Sequence, residues 1–455
     1  MDKVKRRHLF SVYGLFIMLV VGIVVGRGWE SRVSAEGETY EDLKTFAEVL
    51  SIVQKNYVEI VKPKDLVYGA IRGMLNTLDP HSAFMPPDVY KEIQVDTRGE
   101  FGGLGIQIGI KENRLTVIAP IEDTPADKAG IKPGDAILKV DGETTMEMTL
   151  LDAVQKMRGP KGTKVTLTIQ REGVGEPLVF ELVRDIIKIE SIRSRLIEKT
   201  IGYIRVTQFQ ELTGKDLAKA IKSLKEQKAQ SYILDLRNNP GGLLSSAVEV
   251  SEQFLESGKL VVYIQGRDQK KDEYMAGNKT PITDSLMIVL VNAGSASASE
   301  IVAGALQDWG RAVVLGTTTF GKGSVQTILP LSDGSGLRLT TARYYTPKGR
   351  SIQNTGIAPD IEVKVPIAKD SKAPSIPLLR EKDLEHHLEN PTLKKPKPEK
   401  EQPEEGEMPA FGETKFDEND IQLKTAVELL KSWSIFKKIG PGPKGETAPS
   451  LQPVR

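Results

Sequence analysis

Alternating strand and helix patterns between residues 201 and 365 constrain the fold more than any other feature of the sequence. Short apolar runs typical of buried strands alternate with longer stretches whose apolar residues recur at helical spacing. Strand-like runs cover residues 201–209, 232–236, 260–264, 286–292, 312–315 and 337–345, and helix-like stretches cover residues 214–227, 243–255 and 297–309. Such alternation predicts an α/β fold with parallel strand pairing.

The segments on either side of this region have other patterns. From residue 39 to about 95, apolar residues recur at three- and four-residue spacing, with a break at Asp79–Ser82, which predicts a small helical cap. Residues 99–184 combine short strand-like runs with turn sequences and one helix, which predicts a compact module. After residue 366 the composition changes to Pro, Lys and Glu, which predicts an unfolded linker.

The N-terminus has the pattern of an export signal. Four basic residues precede an apolar run from Leu9 to Val25. Small residues at Val33–Ala35 offer a cleavage site, yet the run is also long enough to remain as a single-span anchor, so both outcomes stay open. With the basic end in the cytoplasm, everything after Gly26 is expected in the periplasm or at the outer face of the inner membrane.

Residue counts exclude several classes of function. The chain has no cysteine, which excludes thiol catalysis, thiolate metal sites and disulfides. Of the four histidines, His8 lies in the export segment and His386 and His387 lie in a charged tail, so His81 alone cannot build a zinc site of the usual kind. Because 62 Lys and Arg balance 61 Asp and Glu, nucleic acid has no electrostatic attraction to the chain. We expect no metal and no cofactor.

A serine stands where a strand-like run meets a helix-like stretch. The Asn292–Glu300 sequence, NAGSASASE, contains Ser297 at this junction. Such a serine is held at the open edge of a sheet, and the helix N-terminus offers unpaired N–H groups to a developing oxyanion. On this stretch alone, an ordinary N-cap serine is the other interpretation.

Serine needs a base at neutral pH, and with His81 as the single interior histidine the sequence favours a lysine. Lys322 lies between Gly321 and Gly323, whose small size lets the backbone approach another element. To act as a base, its amine must be neutral, so burial must lower its pKa. Gln326, four residues on, lies on the same strand face and would hold the amine. Taken alone, Lys322 is also consistent with a solvated loop charge.

A second strand-to-helix junction carries two glycines. The Asp235–Gly242 sequence, DLRNNPGG, permits backbone N–H groups to converge as they do in an oxyanion hole or anion nest. A tight turn explains the same sequence equally well.

Together these residues resemble the carboxyl-terminal processing proteases, also called tail-specific proteases, from the helical cap to the end of the alternating region. The resemblance implies that Ser297 is the nucleophile, Lys322 its base and Gln326 the supporting glutamine. It further implies that Gly242 and Ala298 donate the oxyanion-hole N–H groups. The fold class that it implies is a multidomain α/β (α+β) protein with a ClpP/crotonase-like protease core, an inserted domain and helical elements at both ends.

The inserted module resembles a PDZ domain through Phe101–Ile106 and Ala129–Ile137. Backbone N–H groups of the first sequence would hold a terminal carboxylate, and the next strand would take a substrate tail by β-addition. Glycines before a strand otherwise indicate a bulge or a turn. Arg158, at the end of the module's helix, is a candidate for a gating contact to the core. The predicted substrate-binding residues are Gly103, Leu104, Gly105 and Ile106.

These patterns divide the chain into seven segments. They are a signal peptide or membrane anchor (1–35), a helical cap (36–97), a PDZ domain (98–184), a protease core (185–366), a disordered linker (367–416), an amphipathic helix (417–437) and a flexible tail (438–455). A lone helix behind a linker needs a partner face, on its own body or on a second subunit. We expect protein substrates with apolar C-terminal tails and a homodimer or higher homo-oligomer, and an adaptor or activator stays open.

Two other functions compete with proteolysis. Residues 316–322 match the first seven positions of a phosphate-binding P-loop, but Gly323 follows in place of the Ser or Thr that binds Mg²⁺, and a strand-like run stands where a helix is required. The non-enzymatic alternative is a PDZ scaffold or chaperone that has lost activity. Nothing in pure binding requires a serine, a lysine and a glutamine at this spacing.

Overall fold

The computed structural model describes residues 40–277, 281, 285–365, 380–392 and 420–439. The predicted signal or anchor lies outside these residues, and none of the described helices has the length and apolarity to cross a bilayer. Within the described part of the chain, residues 40–77 form one compact unit. It contains helix α1 (residues 40–56) and helix α2 (Pro63–Asn76), which begins with a proline, as suits a first helical turn.

The second unit begins at Leu78 and contains the inserted module. Its main sheet has the order β3-β4-β5-β7-β8, with β6 paired to β5. The chain enters through β2 and leaves through β9, and because these two strands pair antiparallel, the module is tied to the rest at one neck. The elements are β1 (Ala83–Met85), α3 (Pro87–Arg98), β2 (Glu100–Gly103), β3 (Ile106–Lys111), β4 (Arg114–Pro120), α4 (Pro125–Lys128), β5 (Ala136–Val140), β6 (Glu143–Thr144), α5 (Leu150–Met157), β7 (Lys164–Gln170), β8 (Leu178–Val183) and β9 (Asp185–Lys188).

The alternating region forms a six-stranded sheet of order β10-β11-β12-β15-β16-β19. All its strands after β10 pair in parallel, as predicted, while β10 adds an antiparallel edge. The elements are β10 (Ile192–Ile197), β11 (Ile201–Val206), α6 (Thr213–Glu226), β12 (Ser231–Asp235), α7 (Leu244–Ser251), β13 (Leu260–Gly266), β14 (Lys271–Met275), β15 (Leu286–Val291), α8 (Ala298–Asp308), β16 (Val313–Gly316), β17 (Ser324–Pro330), β18 (Gly336–Tyr345) and β19 (Ile361–Glu362).

Two of the predicted strands belong to a different sheet. Strands β13 and β18 join β1, β14 and β17 in an antiparallel sheet. Periodicity predicts that a run is a strand but not which strand pairs with it. The division of the strands between two sheets could therefore not be predicted from the sequence. The turn before β1 and the loop before β17 are brought together by this second sheet.

Both faces of the parallel sheet are covered, because successive side chains of a strand point to opposite faces. Helices α6, α7 and α8 cover one face, where Leu234 and Val291 are fully buried. The other face packs against helix α9 (Ile421–Ile439), through apolar residues such as Leu423 and Val427. Of the two partners left open, the helix therefore uses its own body. It starts four residues later than predicted and includes two residues assigned to the flexible tail.

Part of the predicted linker is folded. Residues 380–392, here called the strap, contain a short 3-10 helix at Glu381–Asp383 and pack on the core. Asn390 Nδ2 donates a hydrogen bond of 2.7 Å to the Gln353 carbonyl. The prediction of disorder was wrong for this stretch because it considered apolar burial alone, whereas hydrogen bonds hold the strap. The rest of the predicted linker, residues 367–379 and 393–416, lies outside the described residues.

Candidate active site

Ser297 lies between β15 and α8 in an uncommon backbone conformation. Its φ of 55° and ψ of −112° fall where residues other than glycine are rarely found. Such strain persists only where the surroundings enforce it. Here the preceding Ala296 N–H donates to the Asn239 carbonyl at 3.0 Å, and the Ser297 N–H donates to the Glu300 carboxylate at 2.8 Å. The junction thus holds its serine in a strained turn rather than a relaxed N-cap.

The carboxylate of Glu300 connects this turn to the lysine loop. Glu300 has no solvent exposure and accepts four hydrogen bonds, from the N–H groups of Ser297 (2.8 Å), Gly321 (2.7 Å) and Lys322 (3.0 Å) and from Thr319 Oγ1 (2.6 Å). Burial raises its pKa to about 7, although these bonds oppose the shift. No role was predicted for Glu300 from the sequence. The Ser-x-x-Glu spacing of a capping box was the available signal.

Lys322 lies in the loop before β17 and is half-buried. Burial lowers the pKa of its amine, and the nearby Arg338 guanidinium lowers it further, while three carboxylates oppose the change. The lowered pKa favours the neutral amine that a base must be. Tyr344, which the sequence did not single out, donates its hydroxyl to the Lys322 carbonyl and is also hydrogen-bonded to the Ser297 side chain.

Gln326 lies on β17, the strand that follows the Lys322 loop. Its side-chain amide donates to Ser324 Oγ at 2.9 Å and to Thr340 Oγ1 at 3.4 Å. The predicted bond to the Lys322 amine is not among its hydrogen bonds. The structure therefore places Gln326 in the same region but gives it hydroxyl partners on β17 and β18.

Gly241 of the Asp235–Gly242 turn lies against the serine turn. A Cβ atom on Gly241 would stand 2.8 Å from Ser297 Cβ and 3.0 Å from the Ala298 nitrogen. Gly242 forms a bridge with Phe209 that uses the Gly241 carbonyl and the Leu243 N–H, both at 2.9 Å. Since neighbouring groups of an extended segment point to opposite sides, the Gly242 N–H points away from Phe209.

The Ala298 N–H belongs to the first residue of α8, whose early N–H groups have no acceptor within the helix. Two backbone donors, from Gly242 and Ala298, thus belong to segments that touch beside Ser297. This arrangement can stabilise an oxyanion formed when Ser297 attacks a carbonyl group.

The Gly242→Ala variant tests this turn. Gly242 has a φ of 142°, and a Cβ atom there would stand 2.1 Å from the Phe209 carbonyl oxygen, so the backbone must move. We expect proteolytic kcat to fall by about 100-fold, the loss typical of a displaced oxyanion donor. Gly258→Ala is the matched control: its φ is also positive, at 78°, but nothing lies within 4 Å of the added atom. Equal effects of both variants on kcat would contradict the assignment.

An ion-pair network supports the strand end that carries the glycine turn. Arg237 bonds both oxygens of the fully buried Asp235, at 2.9 and 2.6 Å, and both oxygens of Asp420, at 2.8 Å each. The Tyr203 hydroxyl donates to Asp235 at 2.8 Å. Helix α9 is thereby connected, through Asp420 just before its first residue, to Arg237 of the Asp235–Gly242 turn. The sequence contained these residues, but not this contact across the chain.

The predicted tail-binding residues form the connection from β2 to β3. The carbonyl groups of Leu104 and Gly105 accept bonds from Ala126 (3.0 Å) and Ile121 (2.8 Å). Gly105 has a φ of 75°, and a Cβ atom would stand 2.3 Å from Thr124, so this loop requires glycine. The loop is thus fixed at the start of β3, which lies beside α5.

Arg158 bridges the module and helix α3. Its guanidinium forms an ion pair with Glu92 of α3 and lies 4.4 Å from the centre of the Phe101 ring. The predicted gating contact to the core is therefore not the one that this arginine makes, because its ion pair is with α3, a helix outside the segment predicted as the protease core.

The competing interpretation of residues 316–322 as a phosphate-binding P-loop gains no support. The residues after Lys322 form strand β17, whereas a P-loop requires a helix there. Among the described residues, no group of three or more His, Asp or Glu side chains is arranged to hold a metal ion.

Comparison with known proteins agrees with this architecture. The model of peptidase family S41 matches residues 200–363, a PDZ-domain model matches residues 116–171, and a model of the activating protease CtpB N-terminal domain matches residues 26–89. A carboxy-terminal-processing protease of Bartonella bacilliformis is 43% identical over 443 residues, covering 96% of this chain and 99% of that protein.

Carboxy-terminal processing protease CtpA of Bacillus subtilis is 39% identical over 338 residues, 74% of this chain and 70% of that protein. A solved photosystem II D1 C-terminal processing protease is 30% identical and covers 70% of this chain and 93% of that one, with a TM-score of 0.42. The chain therefore belongs to the carboxy-terminal processing proteases of peptidase family S41, serine-type peptidases with a PDZ domain.

Proposed function

We propose that this protein is an exported serine endopeptidase that cleaves protein substrates with a Ser297/Lys322 dyad and selects them by their C-terminal tails. The observation that carries the dyad is the Glu300 carboxylate, which binds the N–H groups of both residues. One buried group thus joins two loops that are distant in sequence. Such an arrangement suits side chains that must act on one substrate atom.

The proposed mechanism uses these residues as follows. The neutral Lys322 amine takes the proton of Ser297 Oγ as that oxygen attacks the scissile carbonyl carbon. The N–H groups of Gly242 and Ala298 stabilise the resulting oxyanion. Lys322, now protonated, gives its proton to the leaving amine, and the acyl-enzyme is then hydrolysed by water. Gln326 supports this loop through its bonds on the antiparallel sheet.

Substrate selection falls to the PDZ domain. A tail that adds to β3 would place its terminal carboxylate at the N–H groups of Gly103–Ile106. The side of β3 next to α5 belongs to the module's apolar core, which Ile106 and Ile108 flank. We therefore propose that apolar tails are preferred.

Location and assembly are proposals from the sequence. The basic and apolar residues before Gly26 support export to the periplasm or to the outer face of the inner membrane, as a cleaved or an anchored protein. Processing or degradation of envelope proteins is the expected role. Trp433 and Ile435 of α9 are more than half exposed and offer an apolar surface to a second copy.

Tail selection is tested with two unfolded substrates that differ only in their last three residues, Leu-Ala-Ala or Asp-Asp-Asp. In EDTA and without nucleotide, we expect kcat/KM for the apolar tail to be higher by about tenfold or more, which corresponds to about 1.4 kcal/mol of differential binding. Rates are measured by the appearance of new peptide ends. Equal values for the two tails would show that the PDZ domain does not select, and a requirement for nucleotide would reject the proposed chemistry.

A further inference from the structure

The strap packs beside the Lys322 loop although it follows the core in the chain. Gln353 is the centre of this contact. Its side-chain oxygen accepts the Gly323 N–H at 3.0 Å, and its side-chain nitrogen donates to the Leu388 carbonyl, also at 3.0 Å. Asn354 Nδ2 donates to the same carbonyl at 3.0 Å. The strap is therefore connected through one residue to the glycine that follows Lys322.

Glu381 is the strap residue whose charge is buried most completely. Its side chain has no solvent exposure, and its oxygens lie 2.8 and 2.9 Å from His81 Nε2. One oxygen also accepts a bond of 2.9 Å from Gln353 Nε2. Its backbone N–H donates to the Phe320 carbonyl at 3.3 Å, two residues before Lys322. Burying a carboxylate costs free energy unless it has partners, and a segment that only connects two elements does not need a buried carboxylate.

The Lys322 amine is surrounded by charge from four elements. Besides burial, which lowers its pKa most, Arg338 of β18 lowers it. Glu381 of the strap, Glu300 of α8 and Asp79 of the turn before β1 raise it. The strap therefore supplies one of the three carboxylates that act on the amine.

Two further titratable groups complete these surroundings. His81 bonds Glu381, and its backbone carbonyl accepts a bond of 2.9 Å from Arg338 Nε. Tyr344 bonds the Lys322 carbonyl. Arg338, which disfavours the charged amine, and Glu381, which favours it, therefore both bind His81 although they belong to different elements.

We propose that the strap completes the catalytic centre, with Glu381 as a positioning residue that joins the His81 turn to the Lys322 loop and places negative charge opposite Arg338. This inference rests on the proposed Ser297/Lys322 chemistry. The strap's role there is to set the working pH of the base. A segment that follows the core thereby tunes a residue within it.

The test is the acidic limb of the pH profile of kcat/KM, measured on the full-length protein. Glu381→Gln removes a charge that raises the pKa of Lys322, so we expect this limb to move to lower pH. Arg338→Gln removes a charge that lowers it, so the limb should move to higher pH.

Glu389→Gln is the control, because Glu389 lies in the strap but is exposed. It should leave the limb and the rate unchanged. A merely structural role for Glu381 would lower kcat/KM at all pH values without moving the limb, and that result would overturn the proposal. If Glu381→Gln does not fold, Glu381→Asp keeps the charge and should lower kcat without moving the limb; an unchanged kcat would overturn the proposal.

Failure of the proposed chemistry has a different signature. If Ser297→Ala retains activity, the proposed Ser297/Lys322 dyad is wrong, whether or not the acidic limb of the pH profile moves. If Ser297→Ala is inactive and the limbs of Glu381→Gln and Arg338→Gln both match that of the parent enzyme, the strap inference alone is wrong.

Discussion

Ser297→Ala and Lys322→Ala should each reduce kcat for cleavage of an unfolded protein by about 10⁴-fold or more, as expected when one member of a nucleophile–base unit is removed. The first variant removes the attacking oxygen, and the second leaves the serine hydroxyl without a base. Residual cleavage would come from the oxyanion donors and substrate binding alone. The measurement is single-turnover cleavage of a labelled substrate with an apolar tail.

Lys322→Arg sharpens this experiment. A guanidinium stays protonated in proteins, so it cannot accept the serine proton, and we expect this variant to be as inactive as Lys322→Ala although it places a positive charge at this position. Lys348→Ala, at an exposed lysine, should retain parent activity. Cutting that survives Ser297→Ala would require another nucleophile. Activity in Lys322→Arg would mean that the lysine contributes charge rather than acting as a base.

Glu300→Ala is expected to have the second-largest effect, on both activity and stability. It leaves four donors around a buried site without their acceptor. Each buried unsatisfied polar group costs about 1–3 kcal/mol, so we expect the free energy of unfolding to fall by about 3 kcal/mol or more. Because the turns of Ser297 and Lys322 lose their common bond, kcat should also fall by about 100-fold. Denaturant unfolding and single-turnover assays measure the two losses, and Glu249→Ala, on another helix of the core, is the control.

The pH dependence of stability isolates the buried carboxyl group. In the folded protein the pKa of Glu300 is raised from 4.5 to about 7, so between these values the folded state holds a proton that the unfolded state releases. Because the folded state binds this extra proton, the contribution of Glu300 to stability falls as pH rises from about 4.5 to 7, and this contribution is constant outside that window. Glu300→Gln cannot titrate and removes this slope. A constant difference in thermal midpoint between parent and Glu300→Gln across this range would contradict the raised pKa.

The sequence by itself determined the elements that depend on local pattern. Periodicity located the parallel strands and their helices, and junction chemistry made Ser297, the Asp235–Gly242 turn and the lysine between two glycines candidates for a site. These features follow from residue type and spacing, because backbone conformation responds to near neighbours in the chain. The resemblance added the family, which the comparisons confirmed.

Only the tertiary structure decided how these parts meet. The bonds from Glu300 to the Lys322 loop, from Glu381 to His81 and from Arg237 to Asp420 join residues that are distant in sequence. Each joins buried polar groups. Burying such a group costs free energy unless its hydrogen-bond partner lies at the same place in the folded chain. The periodicity of the sequence does not predict these contacts, because they depend on which sheet each strand joins. For this reason the strap resembled a linker, and Glu300 resembled an ordinary helix residue.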